Sequence, residues 1–156
     1  MKHIFRMAEF SACRTYRYAL WRVWDQAKPV CVFVGLNPST ADETTDDPTI
    51  RRCVGFASDW GFGGLAMANL FAVRATDPRE MIRHPAPIGP DNDRWLVQLN
   101  RQAGRVVAAW GTRGIHLARD RAVRRLLGDM TCLKLTKDGH PQHPLYVARS
   151  TAPRPF

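Results

Sequence analysis

The run Val30-Cys-Val-Phe-Val34, passing without a break into Gly35-Leu-Asn-Pro-Ser-Thr40, constrains the fold more than any other stretch. An uninterrupted apolar, β-branched segment predicts a strand buried on both faces, as in a parallel sheet. The residues after it are turn formers. Parallel strands need long crossover connections, so helices are expected between this strand and its neighbours.

The rest of the chain meets that expectation. Asp47 and Pro48 read as the N-cap and first position of a helix through Ile50, Val54, Ala57 and Trp60, stopped by Gly61-Phe-Gly-Gly64. Leu65-Ala-Met-Ala68 predicts a second buried strand delivering Asn69 at its end. A short helix near 79–82 and another over 91–102 precede a third strand, 105–110. A helix over 115–127 with a basic face of Arg119, Arg121, Arg124 and Arg125 leads to a fourth strand, 131–135. Residues 14–25 carry Tyr16, Leu20, Val23 and Trp24 at helical spacing, so 1–29 is read as an N-terminal helical extension. The Pro-rich tail, 149–156, is expected to be loose. The fold class predicted is α/β: a single domain over 1–156, built as a three-layer α/β/α sandwich around a central four-stranded parallel sheet. In such folds ligands bind beyond the carboxyl ends of the strands. Asn37, Asn69, Trp110 and His143 all follow such ends.

Charge sets the partner class. The chain has 156 residues, with 23 Lys and Arg against 14 Asp and Glu, a formal charge of +9. The excess is mostly arginine, which suits phosphate recognition, and nucleic acid is the expected partner, DNA in particular. The other reading is a basic protein whose charge serves solubility. Cys13, Cys31, Cys53 and Cys132 form no CxxC pair. They read as mostly buried free thiols of a reducing compartment, without zinc or iron–sulfur spacing. No leader-like apolar core opens the chain and no run reaches the roughly 20 residues of a membrane span. The expectation is a cytoplasmic monomer with no membrane association, no metal and no cofactor.

Taken singly, the polar residues at the strand ends have ordinary explanations. Asn37-Pro38-Ser39-Thr40 makes a turn, Asn69 can bond loop backbone, His143 can be a loop histidine, and Trp110-Gly111 is packing plus a turn. Their order along the chain carries more. Gly-x-Asn-Pro after the first strand (Gly35, Leu36, Asn37, Pro38) resembles the first motif of the uracil-DNA glycosylase superfamily, most closely its mismatch-specific and thymine-directed branches. Asn69 resembles the asparagine that reads the flipped base in that superfamily. Val106-Val-Ala-Ala-Trp-Gly111 resembles its apolar-strand-Trp-Gly segment, and His143-Pro144 its His-Pro motif. Gly35 to Asp42, Asp46 to Cys53 and His143 to Tyr146 also look like a bacterial and phage family known as domain of unknown function 1643.

The superfamily resemblance implies a uracil-DNA glycosylase-like fold and a hydrolase that cleaves the N-glycosidic bond of an unusual or modified base, as in DNA repair. Asn37 would position the attacking water and His143 would donate to a base carbonyl as negative charge develops there. Asn69, with Gly35, Leu36, Pro38 and Ser39 around it, would read the base edge. Phe56, Trp60 or Phe62 would supply a stacking face, and Arg51, Arg52, Arg74 and Arg113 would hold phosphates. Several alternatives stay open. His140-Pro141 is a second His-Pro, Leu145 and Tyr146 stand where the superfamily has a serine, and Trp110 is a further site candidate. The acidic loop of Asp42, Glu43, Asp46 and Asp47 offers Asp42 or Asp47 as the general base, or a surface for a cationic or metal-bound substrate. A non-catalytic nucleic-acid-binding module and a small-molecule N-glycosidase or nucleotide-binding enzyme are the rival functions.

Overall fold

A computed structural model describes residues 5–156. The strands are β1 (Phe5–Phe10), β2 (Arg17–Val23), β3 (Val30–Gly35), β4 (Gly64–Asn69), β5 (Ala103–Ala108), β6 (Thr131–Cys132) and β7 (Arg154–Pro155). The helices are α1 (Pro48–Asp59), α2 (Pro78–Arg83), α3 (Asn92–Gln102) and α4 (Arg119–Leu127). The chain is α/β, but the sheet is mixed and has seven strands in the order β1-β2-β4-β3-β5-β6-β7, not four parallel ones. β3 runs parallel to β4 and β5, and β5 to β6, while β1, β2 and β7 join antiparallel.

The β3 run is apolar throughout because both of its faces are covered. Val32 and Val34 point into one core with Ala66, Ala68, Val106 and Ala108, beneath Leu96 and Leu99 of α3 and Val123 and Leu127 of α4. Cys31 and Phe33 point into the other with Leu65, Met67 and Val107, beneath Ile50, Cys53, Phe56 and Ala57 of α1. Burying a side chain such as Phe33 stabilises by about 1.5–3 kcal/mol. The α1 crossover from β3 to β4 and the α2–α3 crossover from β4 to β5 therefore lie on opposite faces. Their loops part at the carboxyl end of β3, which is where a crevice opens in a doubly wound sheet. As expected, Asp47 caps α1: its Oδ1 accepts from the Ile50 N–H at 2.8 Å, with Pro48 next in the chain.

Four expectations are corrected. Residues 14–25 are not helical: they contain β2, which pairs with β1 on one side and β4 on the other. Of the extension expected over 1–29, residues 1–4 lie outside the described residues, and the remainder is an antiparallel strand pair. A surface helix with Tyr16, Leu20 and Val23 inward would leave Arg17 and Arg22 in water, yet both are buried. Helix 115–127 is broken: Thr112–Ala118 is a 3₁₀ segment, and Leu117 and Ala118 take left-handed φ values of 54° and 53° before α4 starts. Arg119 leaves the solvent face, donating from Nε to the Leu70 carbonyl at 2.8 Å and pairing with Asp93. The fourth strand shrinks to Thr131–Cys132. The tail is docked rather than loose: β7 pairs with β6, and the Phe156 ring packs edge-on against Trp110 at 5.7 Å.

Candidate functional site

The register of the sheet places the site. Gly35 pairs with Asn69 and Val34 with Ala108, so β3, β4 and β5 end at nearly one level. Beyond those ends lies a cleft of about 520 Å³. Gly35 to Ser39 leave β3 into it, Asn69 closes β4 at its wall, and Trp110 to Arg113 enter after β5. The loop after β6 is pulled in by backbone bonds: Gln142 N–H to the Lys134 carbonyl and Gly111 N–H to the Pro141 carbonyl, both 2.8 Å. Gly111 makes that turn at φ 72°, a backbone angle that glycine adopts without strain. The loop thereby delivers Gln142 and His143 to the cleft. Asn37, Asn69 and His143, distant in the chain, line one cavity.

Each of the three is oriented by its surroundings. Asn37 Nδ2 donates to the Ala75 carbonyl at 2.8 Å and the Pro38 carbonyl at 3.1 Å. Two facing carbonyls hold the nitrogen on that side, leaving Oδ1 as an acceptor with no bond to the described protein. Asn69 is 2% exposed, and its buried Nδ2 has no hydrogen-bond partner among the described residues. Its amide fits only because Gly35 has no side chain: a Cβ there would stand 2.8 Å from Asn69 Oδ1. The backbone carrying it is clamped by buried Asn92, whose Nδ2 donates to the Asn69 and Leu70 carbonyls at 2.9 and 3.0 Å. His143 Nδ1 accepts the Leu145 N–H at 3.2 Å, so the neutral ring carries its proton on Nε2. Burial holds its pKa below the ordinary imidazole range, opposed by the charge of Asp47.

The acidic loop divides into two jobs. Asp42 does not line the cleft: its Oδ1 accepts from the Thr44 and Thr45 N–H groups at 2.9 and 2.8 Å, and those bonds hold its pKa low. Asp46 pairs with buried Arg22 at 2.8 Å, and Arg22 also bonds the Asp42 carbonyl. Asp47 alone of these lines the cleft, with Oδ1 occupied by the α1 cap. Of the two alternative bases, the fold therefore brings Asp47 to the site and keeps Asp42 in the loop. Of the two histidines it brings His143. His140 sits in the turn closed by the Thr136 N–H to His140 carbonyl bond at 2.7 Å.

Other candidates scatter. Trp110 and Arg113 line the cleft. Phe56 is 0% exposed, stacked among Phe33 and Trp60, and offers no face to a ligand. Phe62 lies at the opposite end of the sheet, beside Pro29 and Gly104. Both phenylalanines are corrected as stacking candidates: α1 turns its apolar side inward and ends away from the cleft. Arg51 and Arg52 border a separate groove that shares only Leu145 with the cleft. Arg74 stacks over Phe10 at 4.8 Å and is not a lining residue. Of the lining residues that sequence reasoning did not assign to the site, Tyr146 and Arg17 bear most on its chemistry. Tyr146, 77% exposed with its ring 5.8 Å from His143, is the aromatic surface at the rim. Arg17 is 2% exposed and reaches the cleft from β2. The adjacency of Tyr146 to His143 was a readable signal; nothing local marked Arg17. Among the described residues no group of three or more His, Cys, Asp or Glu is placed to hold a metal.

No curated protein and no solved structure matches the chain. A family model described as a protein of unknown function, DUF1643, matches residues 17–145, from the first residue of β2 to the loop that carries His143. That span exceeds four fifths of the sequence and contains all of the cleft-lining residues except Tyr146. The chain belongs to the DUF1643 family of proteins of unknown function.

Proposed function

We propose that the cleft is a nucleobase site and that the protein hydrolyses the N-glycosidic bond of an unusual or modified base in DNA, in the manner of the uracil-DNA glycosylase superfamily. The observation that carries this reading is the convergence of Asn37, Asn69 and His143 on one cavity with complementary polarity. A base extruded from a duplex costs a few kcal/mol, and the cleft must return that in contacts. Asn69, with an unpaired Nδ2 donor, reads the base edge. The Nε2–H of His143 donates to a base carbonyl as the leaving base gains charge. Asn37 Oδ1 accepts from a water and aims its oxygen at the sugar carbon. As the C–O bond forms, the C–N bond breaks and its electron pair leaves with the base. The water's surplus proton passes to Asp47, the carboxylate of the cleft, and on to solvent. Tyr146 offers the stacking face in place of the two phenylalanines.

The test is mass spectrometry of bases freed from naturally modified DNA and from single- and double-stranded oligonucleotide panels. Wild-type protein is expected to release a base. Asn37→Ala is expected to lower release by about 10² to 10³-fold, the usual cost of losing a positioned polar group, with DNA affinity within a few-fold. Binding without any release would reduce the protein to a nucleic-acid-binding module. Joint loss of affinity and activity in the variant would make Asn37 scaffold.

A further inference from the structure

Three arginines are buried among the described residues, and two of them are paired with carboxylates. Arg22 pairs with Asp46 and donates to the Trp21, Asp42 and Thr45 carbonyls. Arg119 pairs with Asp93 and donates to the Leu70 carbonyl. Arg17 is the exception. Its Nη1 donates to the Ala41 carbonyl at 3.0 Å, and among the described residues no carboxylate forms an ion pair with it and its enclosed Nε has no partner. Nη2 makes no hydrogen bond to the described residues and is not enclosed. Nε and Nη2 form one edge of the guanidinium, the two-pronged edge that matches a pair of oxygens on a carboxylate or phosphate.

The backbone turns Arg17 toward the cleft, which it lines, with Nη2 the open end of that edge and Nε enclosed behind it. The β1–β2 register pairs Glu9 with Ala19 but Phe10 with Arg17, so β2 carries one extra residue, a bulge at Tyr18. A bulge reverses the alternation beyond it and re-aims a side chain. Arg17 consequently shares the face of Arg22, with both guanidinium groups bonded into the loop 41–46, and lines the cleft with Asn69. A buried charge is normally paired, since leaving water without compensation is costly. The fields of Asp47 and Asp42 act on Arg17 from beyond contact distance, and Arg74 and Arg22 oppose them. Burial, the largest influence, pulls its pKa down to about 10, so it stays cationic at neutral pH.

We infer that Arg17 is the oxyanion receptor of the cleft: its unbonded Nε–Nη2 edge takes a carboxylate or phosphate group of the ligand, while Asn69 Nδ2 donates to another part of the same molecule. The inference deepens the proposed nucleobase site by assigning its ligand an acidic group. That group comes either from a phosphate monoester, on a free nucleotide or a strand end, or from an acidic substituent on the base.

Binding to the full chain is measured by calorimetry at fixed ionic strength with thymidine, thymidine 5′-monophosphate, uracil, uracil-6-carboxylate and 5′-phosphorylated or 5′-hydroxyl oligonucleotides. At least one acidic member of a pair is expected to bind about tenfold or more tightly than its neutral partner, as one charged hydrogen-bonded contact supplies. The pair that shows the gain identifies the source. Arg17→Lys, which keeps the charge and loses the fork, and Arg17→Gln are both expected to abolish the preference. Should both variants fail to fold, the Arg17 Nε–H resonance of the wild-type protein is expected to shift on adding phosphate or acetate relative to chloride. The inference is overturned if none of the three acidic members is preferred, if Arg17→Lys retains the preference, or if that resonance stays still. Anion preference without base release would leave this receptor standing and remove the glycosidic reading; base release without anion preference would do the reverse.

Discussion

His143 and Cys13 show how far single side chains are tuned by their neighbours. Burial disfavours the charged imidazole of His143, and its Nδ1 is already accepting the Leu145 N–H. The folded chain therefore binds this proton less readily than the unfolded chain. The resulting stability is complete above the unfolded pKa of about 6.5 and is lost as pH falls through the lower folded value. Urea unfolding at pH 7 and pH 5 is expected to show that loss, and His143→Gln is expected to make the drop smaller. Cys13 moves the other way: it is exposed, its Sγ lies 3.0 Å from Thr15 Oγ1, and hydrogen bonds that its thiolate accepts from Thr15 and Ser11 lower its pKa to about 7. Burial pushes Cys31 up to about 12 and raises Cys53 and Cys132 as well. Iodoacetamide at pH 7.5 is expected to label Cys13 first, by peptide mapping, because the thiolate is the reacting form. Equal labelling of a buried cysteine would contradict this assignment. The sequence already separated Cys31, within an apolar run, from the rest; the Cys13 hydrogen bonds belong to a turn that was read as helix.

At the scale of elements, the β3–β4 pairing is what makes a site out of two asparagines. Gly35 and Asn69 are register partners at the strand ends, and Gly35 leaves the space that Asn69 fills. In Gly35→Ala the new Cβ would meet Asn69 Oδ1 and Met67 Cε, each at 2.8 Å. The Met67 terminus can swing aside, whereas the Asn69 amide is wedged. The variant is expected to lose about 1–3 kcal/mol in urea unfolding, the usual cost of overpacking. It is also expected to shift the Asn69 side-chain amide resonances; an unshifted amide would show that the contact is not binding. The strand pattern of β3 and β4 and the cap of α1 were legible because burial on both faces and Asp-Pro capping leave local marks. β2 was not legible, because its two neighbours and its bulge are long-range facts. The break before α4 was equally hidden: residues 115–127 carry helix-compatible apolar spacing, while packing of Trp110 against Gly114 and burial of Arg119 impose the kink.

At the scale of the molecule, the charge of +9 is unevenly used. Arg22 and Arg119 are consumed by internal pairs and Arg17 by the cleft floor, while Arg113 stands exposed at the rim and Arg51 and Arg52 border the neighbouring groove. DNA affinity is expected to fall with a log–log salt slope of about −0.9 per phosphate engaged, and Arg113→Ala to reduce the slope by about 1. A flat salt response would remove DNA from consideration. No described helix is long and apolar enough to cross a membrane. By itself the amino-acid order determined the α/β alternation, the central strand, the α1 cap and the strand-end positions of Asn37 and Asn69, since each is written in neighbouring residues. Only tertiary structure decided that β1, β2 and β7 extend the sheet, that His143 and Asp47 enter the cleft while His140 and Asp42 do not, and that Arg17 lies unpaired at its floor. Those outcomes depend on register, on a bulge and on which loops are tied together, and contacts between distant residues leave no local periodicity to read.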